Sequence, residues 1–220
     1  ASVPNCDIPQ DHAIVAVNNQ VAAAIGVKDF ISGGNFASES ILPRAWGHDA
    51  RDLKHLCAIS RRYGNGRLRG YPSMGVLKAY VWLPFIRGVR NYRILNDVDY
   101  HREQAKVELE HTYGWRDYGG KHHESRFTKF FQAYYLPEKF GYDKRRAHLS
   151  SAIVASQLTR KKARVELNET LYEPHKLGLD REFFLKKLRL SAQEWERIMN
   201  MDPRRHEEFP NQLIWQRWRT

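Results

Sequence analysis

One stretch near the N-terminus restricts the fold more than any other. Asp11 is a good N-cap residue, Ile14, Val17, Val21 and Ile25 follow at helical spacing, and Gly26 supplies a C′ stop. Residues 27–31 then read as a short buried strand, and Ser32-Gly33-Gly34-Asn35 turns directly after it. Helix, strand and glycine turn in that order predict an α/β arrangement with parallel strands, residues 27–31 lying near the sheet centre. In such sheets ligands sit beyond the carboxyl ends of the strands, which is where residues 32–40 fall. The amides of a glycine-rich turn can cradle phosphate there.

Downstream, a helix is expected over residues 49–62, stopped by Gly64. Leu53, Leu56 and Cys57 face inward, so Cys57 reads as a core residue and not a nucleophile. Aromatic and branched residues over 71–86 predict a helix at 73–82. Residues 89–95 read as a second strand, and 100–113 as a helix ended by Gly114. From there the pattern is helical throughout. Asp143 caps a helix through Val154, Thr159 one to Leu167 and Asp180 one to Leu188, and Ser191 with Glu194 forms a capping box. The expected division is an α/β part over residues 1–113 and a helical region over 114–220. The tail carries Trp215, Arg217, Trp218 and Arg219, as a docking helix or a frayed end would.

The chemistry concentrates in residues 114–132, from Gly114 to Gln132. Five aromatics, cations, the Asp117 and Glu124 carboxylates, hydroxyls and the His122-His123 pair surround the Gly119-Gly120 hinge. That mixture suits a polyanion joined to a polar ring better than a core helix or a solvated face. At the start of a helix, Lys121, Ser125 and Lys129 share one face, and His122, Arg126 and Phe130 another. Lys121, Glu124 and Arg126 are therefore the candidate catalytic residues. Ser32, Gly33, Gly34, Asn35 and Glu39 are candidate nucleotide-binding residues, joined by Lys129, Lys144, Arg145 and Arg146. The last three open a helix, where cations oppose the helix dipole, so either an external anion or a salt-bridge network must answer them. No metal-ligating set is expected: adjacent histidines on a helix diverge by about 100°, and the tandem pair lacks a third ligand.

Composition sets the outer bounds. With 36 Lys and Arg against 25 Asp and Glu the net charge is +11, which favours anionic partners; the charge is spread along the chain and does not single out nucleic acid. Hydrophobic residues make up 42%, enough for a sizeable core. Two cysteines, Cys6 and Cys57, make no disulfide framework, and a reducing, cytoplasmic setting is the expectation. No apolar run approaches the roughly 20 residues of a membrane span, and no signal peptide is expected. The first residue is Ala1 and not methionine, which points to a natural start further upstream.

With those residues in view, the chain resembles the N-acetyl sugar amidotransferases of surface-polysaccharide biosynthesis. The resemblance is carried by Ser2-Val3-Pro4-Asn5 with Ile8-Pro9-Gln10-Asp11-His12-Ala13-Ile14, by Ser32-Gly33-Gly34-Asn35 with Glu39-Ser40-Ile41-Leu42-Pro43-Arg44, and by Asp52-Leu53-Lys54-His55-Leu56. Two longer runs, over 114–132 and from Tyr135-Leu136-Pro137 to Leu149-Ser150-Ser151, are the most specific. The family is similar to the wider PP-loop ATP pyrophosphatase group. The resemblance thus implies an α/β fold: a partial parallel-sheet PP-loop domain (adenine nucleotide alpha hydrolase-like), of which residues 1–113 form the C-terminal half, followed by a helical C-terminal region. It also implies ATP and Mg²⁺ as cofactors. An acetamido oxygen of a nucleotide-linked sugar attacks the α-phosphorus, and pyrophosphate leaves. Ammonia from a separate glutaminase then displaces AMP to give an acetamidino group. The setting implied is lipopolysaccharide, O-antigen or related glycan synthesis.

The chain departs from this pattern in two places. The family's Ser-Gly-Gly-x-Asp-Ser signature is absent, since Ser32-Gly33-Gly34-Asn35-Phe36 lacks the Asp-Ser pair, and its cysteine-rich element is missing. The 220 residues are therefore expected to begin about halfway through the α/β domain. Two further readings stay open: a catalytically inactive fragment that docks a partner, and a basic nucleic-acid-binding module.

Overall fold

The structure, a computed structural model, describes residues 1–64, 66, 68–120 and 123–212. In chain order the elements begin with α1 (Ile8–Ile25), β1 (Asp29–Ile31), α2 (Phe36–Glu39) and α3 (Leu53–Tyr63). A π-helical segment (Lys78–Ile86), β2 (Arg90–Tyr92) and α4 (Arg102–Tyr113) follow. The remainder is helical: α5 (Arg126–Phe130), α6 (Leu136–Phe140), α7 (Lys144–Val154), α8 (Arg160–Asn168), α9 (Pro174–Leu188) and α10 (Ala192–Asn200). The chain divides into two compact units, one formed by residues 1–32, 44–92 and 203–220, the other by 33–43 and 93–202.

In the first unit β1 and β2 pair in parallel, Asp29 opposite Arg90 and Ile31 opposite Tyr92. The parallel pairing agrees with the sequence, but the burial does not. Ile31 is 75% exposed, and neither strand is buried, because these two strands are the whole sheet among the described residues. The described residues do not show a PP-loop domain.

Helix α1 also differs from expectation. It starts at Ile8 behind Asp7, with Asp11 in its first turn, and ends at Gly26, whose φ of 78° favours glycine. Its inward residues are Ile8, His12, Ala16 and Ala22, while the apolar stripe of Ile14, Val17, Val21 and Ile25 faces outward. His12 fixes that rotation. Its Nδ1 donates to the Ala50 carbonyl (2.6 Å), and its Nε2 accepts from the Met74 amide (3.0 Å). Ala16 thereby packs with Met74 and Leu83, flanked by Val15, Ala79 and Val89. The helix expected at 73–82 is displaced to 78–86 and widened: Pro84 lies inside it, and the Arg87 amide reaches back five residues to the Trp82 carbonyl.

A second buried group in this unit is polar. The rings of His48, His55 and His206 lie with centroids 4.1, 5.1 and 5.3 Å apart, and His55 and His206 are buried. Asp52, also buried, caps α3 by accepting from the His55 amide (3.0 Å) and receives the Gln212 amide (2.7 Å).

The second unit is built on aromatics. Residues 126–140 run as one helical stretch whose middle, Phe131–Tyr135, opens to a π turn. It buries Phe130, Phe131 and Leu136 almost completely. Phe130 meets Phe184 at 4.6 Å and Trp195 at 5.7 Å between centroids, so α9 and α10 close over it. Lys139 ties the end of α10 by donating to the carbonyls of Ile198, Met199 and Met201 (2.6–3.0 Å). Asp143, Thr159 and the Ser191/Glu194 capping box open α7, α8 and α10 as the sequence predicts. Asp180 does not act as a cap. It lies inside α9, where Arg126 and Tyr172 bind its carboxylate. Among the described residues, no helix is long and apolar enough to cross a membrane.

Candidate functional site

The second unit contains a cavity of about 640 Å³, built where the turn after β1 meets α4, the loop after α4 and α7. Local chemistry explains each wall. Asn35 is buried, and its side chain locks the turn. Its Oδ1 accepts from the Ser38 amide (2.9 Å) and hydroxyl (3.0 Å), and its Nδ2 donates to the Gly33 carbonyl (3.2 Å). The short helix α2 is fixed to α7 at two points. The Ile41 amide donates to the Ser151 hydroxyl (3.0 Å), and His148 Nδ1 donates to the Ser38 carbonyl (3.1 Å). Gly33, Asn35, Ser38 and Glu39 thus line the cavity together with His148.

Residues 115–120 contribute a further part of the lining. Asp117 accepts from the Gly119 amide (2.8 Å) in an Asx turn, and Gly119 takes the φ of 81° that the turn needs. The His123 ring packs where a Cβ on Gly120 would sit, so Gly120 leaves room for that ring. Trp115 and Tyr118 meet edge to face at 5.5 Å and present aromatic surface to the cavity. Lys106 donates to Asp117 (2.7 Å); that bond and the Gly119 amide hold the Asp117 carboxyl below the usual range. Across the floor, Gln157 Nε2 donates to the Tyr100 carbonyl (2.6 Å).

The charges lining the cavity are mixed. Glu39, Glu103, Asp117 and Glu166 face it with Arg102, Lys106, His101 and His148, and Lys106 is already engaged by Asp117. Among the described residues, four carboxylates around two cations do not fit a triphosphate. Aromatic faces beside carboxylates and an amide do fit a polar ring, and the volume lies within the roughly 300–1,000 Å³ of small-molecule sites.

The other candidate residues lie elsewhere. Ser32 belongs to the first unit, where its amide donates to the Tyr92 carbonyl (2.8 Å). Lys121 and His122 lie outside the described residues, as does the tail from residue 213. Glu124 sits in a turn ahead of α5, which Ser125 caps and which begins at Arg126. Arg126 binds Asp180 through Nε (2.7 Å) and covers the Phe183 ring at 4.1 Å. Lys129 lies over Tyr172 at 4.6 Å and 4.0 Å from Asp180. Burial alone would raise the Asp180 pKa, but the bonds from Tyr172 and Arg126 take it below the usual carboxylate range. Arg145 is held by Asp143 and donates to the carbonyls of Glu166, Leu167 and Glu169 at the end of α8. For Arg145 the conflict with the helix dipole is thus answered by a packed network. Lys144 lies 5.8 Å from the centre of the Phe131 ring, and Arg146 is exposed.

Trp115, Asp117, Tyr118, Lys106 and Gln157 line the cavity without being among the candidate site residues of the sequence. The first three were legible inside the residue-rich run over 114–132; Lys106 and Gln157 carry no local signal.

Residues 124–220 match the family model described as LPS biosynthesis protein WbpG-like, C-terminal domain. That stretch, a little under half of the chain, supports the lipopolysaccharide-biosynthesis resemblance read from the sequence. No curated protein and no solved structure matches the chain.

Proposed function

We propose that this chain supplies the sugar-recognition part of an ATP-dependent amidotransferase. Its substrate is a nucleotide-linked N-acetyl sugar of lipopolysaccharide or O-antigen biosynthesis, and its product carries an acetamidino group. The observation that carries this reading is that residues 33–39 and residues 115–120 line one cavity, whose aromatic faces, carboxylates and amide suit a polar ring. The match over residues 124–220 supports the glycan context.

In this reading Glu39 and Asp117 accept hydrogen bonds from ring hydroxyls, and Trp115 covers the apolar face of the ring. Asn35 and His148 hold the turn that carries Glu39. Arg126, Lys129 and Arg145 organise the helices. ATP and Mg²⁺ would supply the leaving group on the acetamido oxygen, and a separate glutaminase the ammonia. The described cavity does not itself fit the triphosphate.

The test is made in the host cell, with the protein as it occurs there. Trp115→Ala or Glu39→Gln should remove the amidino sugar from the surface glycan, read by mass spectrometry, while the protein level stays unchanged. Retention of the amidino group in both variants would contradict the reading.

A further inference from the structure

Three imidazoles buried together in a protein interior need partners for six ring nitrogens. In the first unit, His48, His55 and His206 offer donor atoms that all lie within 4.8 Å of one another. His48 Nε2 donates to Asp52 Oδ2 at 2.9 Å, both side chains being only 2% exposed. That bond fixes the tautomer and leaves the His48 Nδ1 lone pair for another partner. A carboxylate behind an imidazole is the usual support of a metal-ligating histidine. His206 Nδ1 and His55 Nε2 face each other at 3.2 Å. Two ligands of a tetrahedral zinc ion, each about 2.0–2.1 Å from it, lie about 3.3 Å apart.

We propose that His48, His55 and His206 form a binding site for a divalent transition metal, with zinc the best fit, and that Asp52 is its supporting carboxylate. Neutral imidazoles suit zinc and its neighbours, and burial keeps His55 and His206 neutral, lowering their proton affinity. The proton balance is local. The Asn5 amide donates to His206 Nε2 (3.2 Å), which places the His206 proton on Nδ1, between it and His55. On metal entry that proton moves to Nε2, the Asn5 amide turns away, and both Nδ1 of His206 and Nε2 of His55 become ligands. The site would tie three distant parts of the chain: the turn before α3, α3 itself and the segment after residue 203. It belongs to the unit that does not hold the sugar cavity and does not depend on the reading given for that cavity.

The experiment uses the whole chain, stripped with a chelator and titrated with Zn²⁺ and then Co²⁺. One equivalent of Zn²⁺ should bind and raise the melting temperature, and Co²⁺ should give the intense visible bands of a tetrahedral site. His206→Gln should weaken Zn²⁺ binding at least a hundredfold, Asp52→Asn by about ten- to a hundredfold, and His111→Ala, on exposed α4, not at all. Absence of stoichiometric Zn²⁺ binding would overturn the proposal. So would unchanged affinity in His206→Gln, which would place the metal on other histidines. If His206→Gln does not fold, the wild-type Co²⁺ spectrum decides: weak octahedral bands contradict the site and tetrahedral bands support it.

Discussion

The two units bury different things. The second seals an aromatic centre, with Phe130, Phe131, Leu136 and Trp195 each at most 3% exposed. Beside the small cluster of Ala16, Met74 and Leu83, the first buries His12, His55, His206, Asp7 and Asp52 while leaving Ile14, Val17, Val21, Ile25 and Ile31 outside. An apolar interior is limited by packing alone. A polar one works only if every group finds a partner, which makes it sensitive to pH and to ions. The second unit should therefore respond mainly to changes of volume, the first to changes of protonation.

The largest expected effect is on volume. Phe130→Ala should cost about 3–5 kcal/mol in urea unfolding, whereas Ile14→Ala on the exposed stripe of α1 should stay within about 0.5 kcal/mol. Comparable losses at both positions would erase the contrast.

Acid comes next. Burial, then the charges of its neighbours, lowers His55 to about 4 and His206 to about 3. A depressed histidine is neutral in the fold, so the unfolded chain takes up protons first as the pH falls below about 6.5. The stabilisation is whole above that pH and declines from there toward the folded values. The slope is up to about 1.4 kcal/mol per pH unit for each group. Chelator-treated protein, followed by amide exchange between pH 7 and 4.5, should lose protection in α3 before it does in α5. Simultaneous loss would contradict the difference between the units.

The smallest effect is local. Asn35→Ala removes the cap of α2 and should cost about 1 kcal/mol. By releasing Glu39 it should also weaken sugar binding, which isothermal titration with UDP-N-acetylglucosamine would register.

What the sequence revealed was local. Gly26, Gly114, Asp143, Thr159 and the Ser191/Glu194 pair mark helix ends because each acts within a few residues of itself. What it hid was tertiary. The stripe of α1 reads as an inward face by periodicity, yet the two bonds of His12 turn it outward. Asp180 reads as a cap but answers Arg126, 54 residues away. His206 meets His55 across 151 residues, beyond any motif. At the cavity, the turn at 32–39 and the run at 114–132 were both legible as chemistry. That they line one cavity is a matter of tertiary packing, in which α2 is held on α7.

The central claim, that the cavity of the second unit binds the N-acetyl sugar, is tested most directly by saturation-transfer NMR on the whole chain with UDP-N-acetylglucosamine. Saturation should reach the acetyl methyl and the sugar ring protons in the wild type, and should be lost from both in Trp115→Ala with the fold intact. Equal transfer in the wild type and in Trp115→Ala, or transfer confined to the uridine, would contradict the account.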